Sequence, residues 1–176
     1  MSDVDDDNVN DAQDRAACEQ LTLHEAGHAV TAVVLRFAVR YVAIRANRYA
    51  EWEGETNATS AEVRADHDAD SRWRAAIVAL AGREARRLKY PAVDAEWRLQ
   101  DDSDVVYTRK VMHASRDTAE AICGPVLEEA RRLLAKHRSA VDAVSNLLLA
   151  NGFPTVVEGS AVHALVEHWN ATGARA

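Results

Sequence analysis

Apolar residues at Leu21, Leu23, Val30, Val33, Val34 and Phe37 punctuate a proline-free run from Ala16 to Ala38. That spacing predicts a mostly buried helix. Beyond it the rhythm shortens. Arg40 to Ile44 alternates enough for a short strand, Gly54 to Ala58 is its candidate partner, and Asn47 to Glu53 is the exposed loop between them. Ser60 with Glu62 can cap a short helix. Helical periodicity resumes from Ser71 to Lys89, with Ile77, Leu80, Ala81, Ala85 and Leu88 on the side expected to be buried, and Pro91 stops it. Residues 92–100 connect to a helix-like segment from Val105 to Met112. Further helices are expected over 117–136, where Pro125 implies a kink or a new start, and over 139–150, stopped by Asn151-Gly152. A last helix runs from Ser160 to Trp169. The sum is a mainly α (α+β) domain with a small β-hairpin or edge strand.

Composition supports that class. Hydrophobic residues make up 48% of the 176 residues but aromatics only 6%, so Ala, Val and Leu must do the packing. Close-packed helices suit such a core better than a β-sandwich. The chain is long enough for one domain with a real core. Asp3, Asp5, Asp6, Asp7, Asp11 and Asp14 crowd a polar leader. Such a stretch buries too little apolar area to order itself, so residues 1–13 are expected to be a flexible acidic tail, 14–170 the domain, and 171–176 a C-terminal tail.

Charge and cysteine content narrow the partners. A net charge of −7 argues against nucleic acid, which needs a basic face. The most apolar stretch, Ala29 to Ile44, is interrupted by Arg36 and Arg40 and falls short of a span of about 20 residues, so no membrane anchor is expected. An acidic start is the opposite of a secretory leader. Cys18 and Cys123 suggest no disulfide framework; small core residues or free thiols in a reducing compartment fit better. The cytoplasm is the expected location.

The chemistry lies in His24-Glu25-Ala26-Gly27-His28. Positions i and i+4 share a helix face, with Cβ atoms roughly 5–6 Å apart, so two imidazoles can converge on one zinc ion. Glu25 then stands beside a metal-activated water as its proton acceptor. Hydrolytic zinc usually takes three protein ligands and keeps one place for water. The HExxHxxGxxH subclass is excluded, because Thr31 and Val34 stand where its Gly and third His would be. The third ligand must therefore come from a distant residue. Asp101-Asp102-Ser103-Asp104 is the best source, although acidic residues opening a helix also serve as caps and dipole partners.

With these residues in view, the chain resembles the peptidase domain of the FtsH-type ATP-dependent zinc metalloproteases. His24 to Ala29 reads HEAGHA, that family's metal-and-base motif. Val78 to Ala85 is similar to its "LAGRAAEE" helix, and Ser103 to Thr108 to its "NDLxxAT" segment, whose Asp is the third zinc ligand. Val126 to Arg138 resembles its late helix, and Leu147-Leu148-Leu149 continues the pattern. The likeness runs from about Cys18 to about Trp169. It implies a helical zincin-like peptidase domain with Zn2+ on His24, His28 and Asp104 and with Glu25 as general base. Val105, Thr108 and Val111, at +1, +4 and +7, favour Asp104 by burying one helical face behind it; Asp101, one turn earlier, is the rival.

Departures from the family matter as much. The seven glycines are scattered and form no GxxxxGK[ST] loop, so nucleotide phosphates have no cradle. The family's glutamate pair falls on Arg86 and Arg87, and Glu84, the nearest acid, is expected to be a solvated helix residue. The expected function is a zinc-dependent metalloendopeptidase acting on unfolded or extended polypeptides. Folded targets would require a separate ATP-dependent unfoldase. In the resembled family a strand near Glu55, Thr56 and Asn57 pairs with the substrate backbone; a plain surface hairpin is the alternative. A non-catalytic zinc-binding interaction or regulatory module is the alternative function, motivated by Arg86-Arg87 and the missing motor. A deformylase-like activity is disfavoured, since no Cys-containing ligand motif precedes HEAGH. Oligomeric state does not carry over, because the family forms rings largely through its ATPase part. His67, His113, His137, His163 and His168 read as surface or capping residues, and Trp52, Trp73, Trp97 and Trp169 as packing anchors. Tyr107, one turn beyond Asp104, is a weaker candidate oxyanion donor.

Overall fold

A computed structural model describes residues 6–48, 51–59, 68–91, 103–113 and 119–173. The elements are α1 (Asp6–Val34), β1 (Ala38–Ala46), β2 (Trp52–Thr59), α2 (Ala69–Lys89), α3 (Ser103–Val111), α4 (Ala119–Lys136), α5 (Arg138–Ala150), β3 (Thr155–Glu158) and α6 (Gly159–Gly173). The domain is mainly helical with one small sheet, as the apolar pattern predicts.

Helix α1 is the axis of the molecule. Leu23, Ala26, Ala29 and Val30 on α1 are buried with Val141, Val144 and Leu148 of α5, Val162 and Val166 of α6, and Val39 and Val42 of β1. Along its other side α1 meets α2 closely. A Cβ at Gly27 would stand 2.6 Å from the carbonyl oxygen of Ala81, so only a glycine lets the two backbones approach this far. Ile77 and Leu80 of α2, Val105 of α3, and Cys123, Val126 and Leu133 of α4 form a second apolar cluster. Helix α2 thus joins both clusters and α3 is fixed against it.

Helix α1 is assigned from Asp6. It stops at Val34, short of the Ala38 at which the proline-free apolar run ends. Arg36 takes a left-handed φ of 66°, and the Phe37 amide donates to the Ala32 carbonyl at 2.8 Å. That closing bond satisfies a helix-end carbonyl and turns Phe37 inward ahead of β1.

The sheet has the order β2-β1-β3, antiparallel throughout. Trp52 pairs with Ala46 and Thr56 with Val42, and the register shifts between Val39 and Tyr41. The expected hairpin is present, longer by a few residues at each end. Strand β3 was not anticipated. It has only four residues, with Thr155 and Val157 inward and Val156 and Glu158 outward, too few to show a period. Because β1 is central, β2 lies at the sheet's edge among the described residues.

Helix α4 continues through Pro125, so the position forgoes one helical hydrogen bond and does not start a new helix. Leu88, expected on the buried side of α2, is 39% exposed, because it lies in the last turn, where the helix leaves the core. The Ser60–Glu62 cap, the 92–100 connection, Asp101, Asp102, His67 and Trp97 lie outside the described residues. Among the described residues no helix is long and apolar enough to cross a membrane. Among the described residues neither Cys18 nor Cys123 forms a disulfide; Cys123 is buried, and burial pushes its thiol up.

Candidate metal centre

His24 and His28, one turn apart on α1, turn their rings toward a common point, with centroids 4.5 Å apart and planes at 87°. Their Nε2 atoms are 3.0 Å apart. Asp104, in the first turn of α3, brings Oδ2 to 3.3 Å from Nε2 of His24 and 3.5 Å from Nε2 of His28. Among the described residues these three side chains form the cluster able to hold a metal ion. Tetrahedral ligands on zinc at 2.0–2.1 Å stand about 3.3–3.4 Å from one another, so the spacing of the three donors fits that ion.

The other elements hold this arrangement in place. Nδ1–H of His28 donates to the carbonyl of Val78 on α2 at 2.7 Å. A backbone acceptor on one ring nitrogen fixes the tautomer that leaves Nε2 for a metal. Gly82, one turn further along α2, has no side chain where the ring lies; a Cβ there would fall on the His28 imidazole. Nδ1 of His24 is buried with no hydrogen-bond partner among the described residues. Behind Asp104, Val105, Thr108 and Val111 are buried, the face expected from their spacing.

Electrostatics tie the three together. Burial alone would lower the pKa of His28, but its hydrogen bond to Asp104, the charges of Asp104 and Glu25, and the Val78 carbonyl raise it to about 9. Burial likewise raises Asp104, and bonding to the two imidazoles outweighs it, holding the carboxyl well below the usual carboxylate range. Opposite charges at this distance favour the ionised forms of both partners.

Glu25 is 4% exposed and points from α1 toward β2. The Thr56 hydroxyl donates to its Oε2 at 2.7 Å, and a Cβ at Gly54 would fall on the carboxylate. The cleft above these groups has two lobes. One, of about 320 Å³, is walled by Phe37, Ala58, Ala75, Val78, Ala79 and Tyr107. The other, of about 580 Å³, is walled by Cys18, Gln20, Leu21, Trp52, Glu53 and Arg86. His24, Glu25, Gly54, Ser103 and Asp104 border both. Burial raises the Tyr107 phenol, which keeps it protonated.

The structure brings together all four residues singled out in the sequence: His24, Glu25, His28 and Asp104. It also adds residues that the sequence reading did not assign to the site, namely Gly54, Gly82 and the Val78 carbonyl. A glycine directly beside an invading side chain leaves only its own presence as a signal. Glu84 corrects an expectation: it is not solvated but 1% exposed. Its Oε2 accepts from Arg131 Nε of α4 at 2.5 Å, and Arg87 stands 3.8 Å from its Oε1. A buried carboxylate requires such partners. Arg87 thus belongs to this pair, which links α2 to α4.

No protein-family model and no curated protein matches the chain.

Proposed function

We propose that this protein is a zinc-dependent endopeptidase that hydrolyses unfolded or extended polypeptides, a reading in line with the sequence resemblance to FtsH-type peptidase domains. The observation that carries it is the meeting of Nε2 of His24, Nε2 of His28 and Oδ2 of Asp104 within 3.0–3.5 Å of one another, with a buried carboxylate next in sequence. His24, His28 and Asp104 would hold the ion. When bound, it would supply Lewis-acid polarisation of a carbonyl and lower the pKa of water toward roughly 7.

The chain's own residues account for the rest. Glu25 accepts a hydrogen bond from the neutral hydroxyl of Thr56, so it keeps the capacity to take a proton from water and return it to a leaving amine. The two lobes leave room for substrate on either side of the scissile bond. Strand β2 is at the sheet's edge beside them, so main-chain hydrogen bonds to an extended peptide are available there largely regardless of sequence.

Three protein ligands among the described residues support the catalytic reading over a purely structural site, which commonly takes four. A folded substrate must be opened at a cost of about 5–15 kcal/mol before its backbone can enter a cleft. The zinc-loaded protein should therefore digest casein without ATP and spare a stable folded protein. Glu25→Gln should bind metal like the wild type and lose turnover by at least about a hundredfold. Equal digestion by wild type and Glu25→Gln would remove Glu25 from the mechanism.

A further inference from the structure

We infer that Thr56 and Gly54 of β2 are positioning residues that aim the Glu25 carboxylate, so that the strand bordering the cleft sets the geometry of the base. The inference rests on the reading of Glu25 as general base.

A carboxylate buried as deeply as that of Glu25 needs a fixed polar partner. The Thr56 hydroxyl meets it at two places: 2.7 Å from Oε2 and 3.2 Å from the main-chain carbonyl oxygen of the same residue. One hydroxyl proton thus serves two acceptors on Glu25, tying its side chain to its own backbone.

Gly54 supplies the other half of the socket. Residues two apart on a strand share a face, so Gly54 and Thr56 both present themselves to α1. Where Thr56 offers a hydroxyl, Gly54 offers bare backbone, and any Cβ would occupy the carboxylate's place. The socket is anchored from behind: Gly54 pairs with Ile44 and Thr56 with Val42 on β1, both fully buried. A strand so held cannot shift to follow a wandering side chain.

An ordinary strand threonine would matter only for its shape. Thr56→Val keeps the branched shape and removes the hydroxyl, whereas Thr56→Ser keeps the hydroxyl. On casein, zinc-loaded Thr56→Val should lose about 10–100-fold in kcat with KM within about twofold, since small misplacements of a reacting group cost rates of this order. Its zinc content should equal that of the wild type, and Thr56→Ser should retain most of kcat. A crystal structure of Thr56→Val should show the Glu25 carboxylate turned from its wild-type position. Wild-type kcat in Thr56→Val, an equal loss in Thr56→Ser, or an unmoved carboxylate would each overturn the inference. If wild type and Glu25→Gln digested casein alike, the functional reading would fail instead, and the crystallographic comparison alone would decide the positioning role.

Discussion

The imidazole of His28 occupies the space that a side chain at Gly82 would need. Helix α2 therefore contributes to the metal centre by what it lacks as well as by the Val78 carbonyl that receives Nδ1–H of His28. In an open helix interior, alanine would be more stable than glycine by roughly 1 kcal/mol. At position 82 that gain is opposed by collision with the ring.

Gly82→Ala should weaken zinc binding by at least about tenfold, because changes to the groups that orient a metal ligand commonly cost about 10–100-fold. Helical content should be unchanged. Isothermal titration with zinc, beside a far-ultraviolet circular dichroism spectrum, checks both. Tighter binding in the variant would mean that the ring is not where the structure has it.

Asp104→Asn should keep the fold and lose most of the zinc affinity, since amide oxygen is a poorer zinc ligand than carboxylate. The metal content of purified variant and wild type, dialysed against the same zinc buffer, is the measurement. Asp101→Asn in parallel separates the two candidates raised by the sequence: it should bind zinc like the wild type.

Zinc affinity should rise with pH toward about 9 and level off above it. His28 must be free of its Nε2 proton to act as a ligand, and its pKa is raised from 6.5 to about 9 by Asp104 and its other neighbours against the opposing effect of burial. In metal-free protein the same shift has a sign of its own. A raised folded pKa contributes stability that is fully present below about 6.5 and is lost as pH rises through about 9. The lowered pKa of Asp104 contributes stability present above its ordinary 3.8 and lost as pH falls through the depressed value. Thermal melts in chelator should therefore show their plateau between these limits and decline toward pH 9. A metal-free protein whose stability climbed steadily from pH 6.5 to 9 would contradict the pairing.

Arg131→Met should destabilise the domain by about 1–3 kcal/mol, the usual cost of stranding a buried polar group. The nearer counter-charge of a wholly buried Glu84 would be removed, with the more distant Arg87 left at 3.8 Å. Urea denaturation midpoints measure the change. Double replacement, Glu84→Leu with Arg131→Met, should recover much of the loss, because an ion pair exchanged for apolar side chains is often close to neutral.

The helices and the hairpin follow from apolar spacing, and the two histidines follow from a helical turn. Those features depend on local period, which a sequence displays directly. Asp104 needed more. Its own spacing predicted a buried face behind it, but its meeting with α1 depends on how α2 and α3 pack. Glu84 shows the limit of local reasoning: its burial is made tolerable by Arg131, 47 residues later, and nothing near it announces that partner. Strand β3 escaped for a related reason, since four residues become a strand only because β1 is there to pair with them.

The proposed metal centre predicts that zinc soaked into crystals of the wild-type protein, located by anomalous diffraction, gives a single strong peak at about 2.0–2.1 Å from Nε2 of His24, Nε2 of His28 and a carboxylate oxygen of Asp104, with Glu25 unligated beside it. A peak bound elsewhere, a site closed by a fourth protein ligand, or no ordered zinc between these three side chains would contradict it.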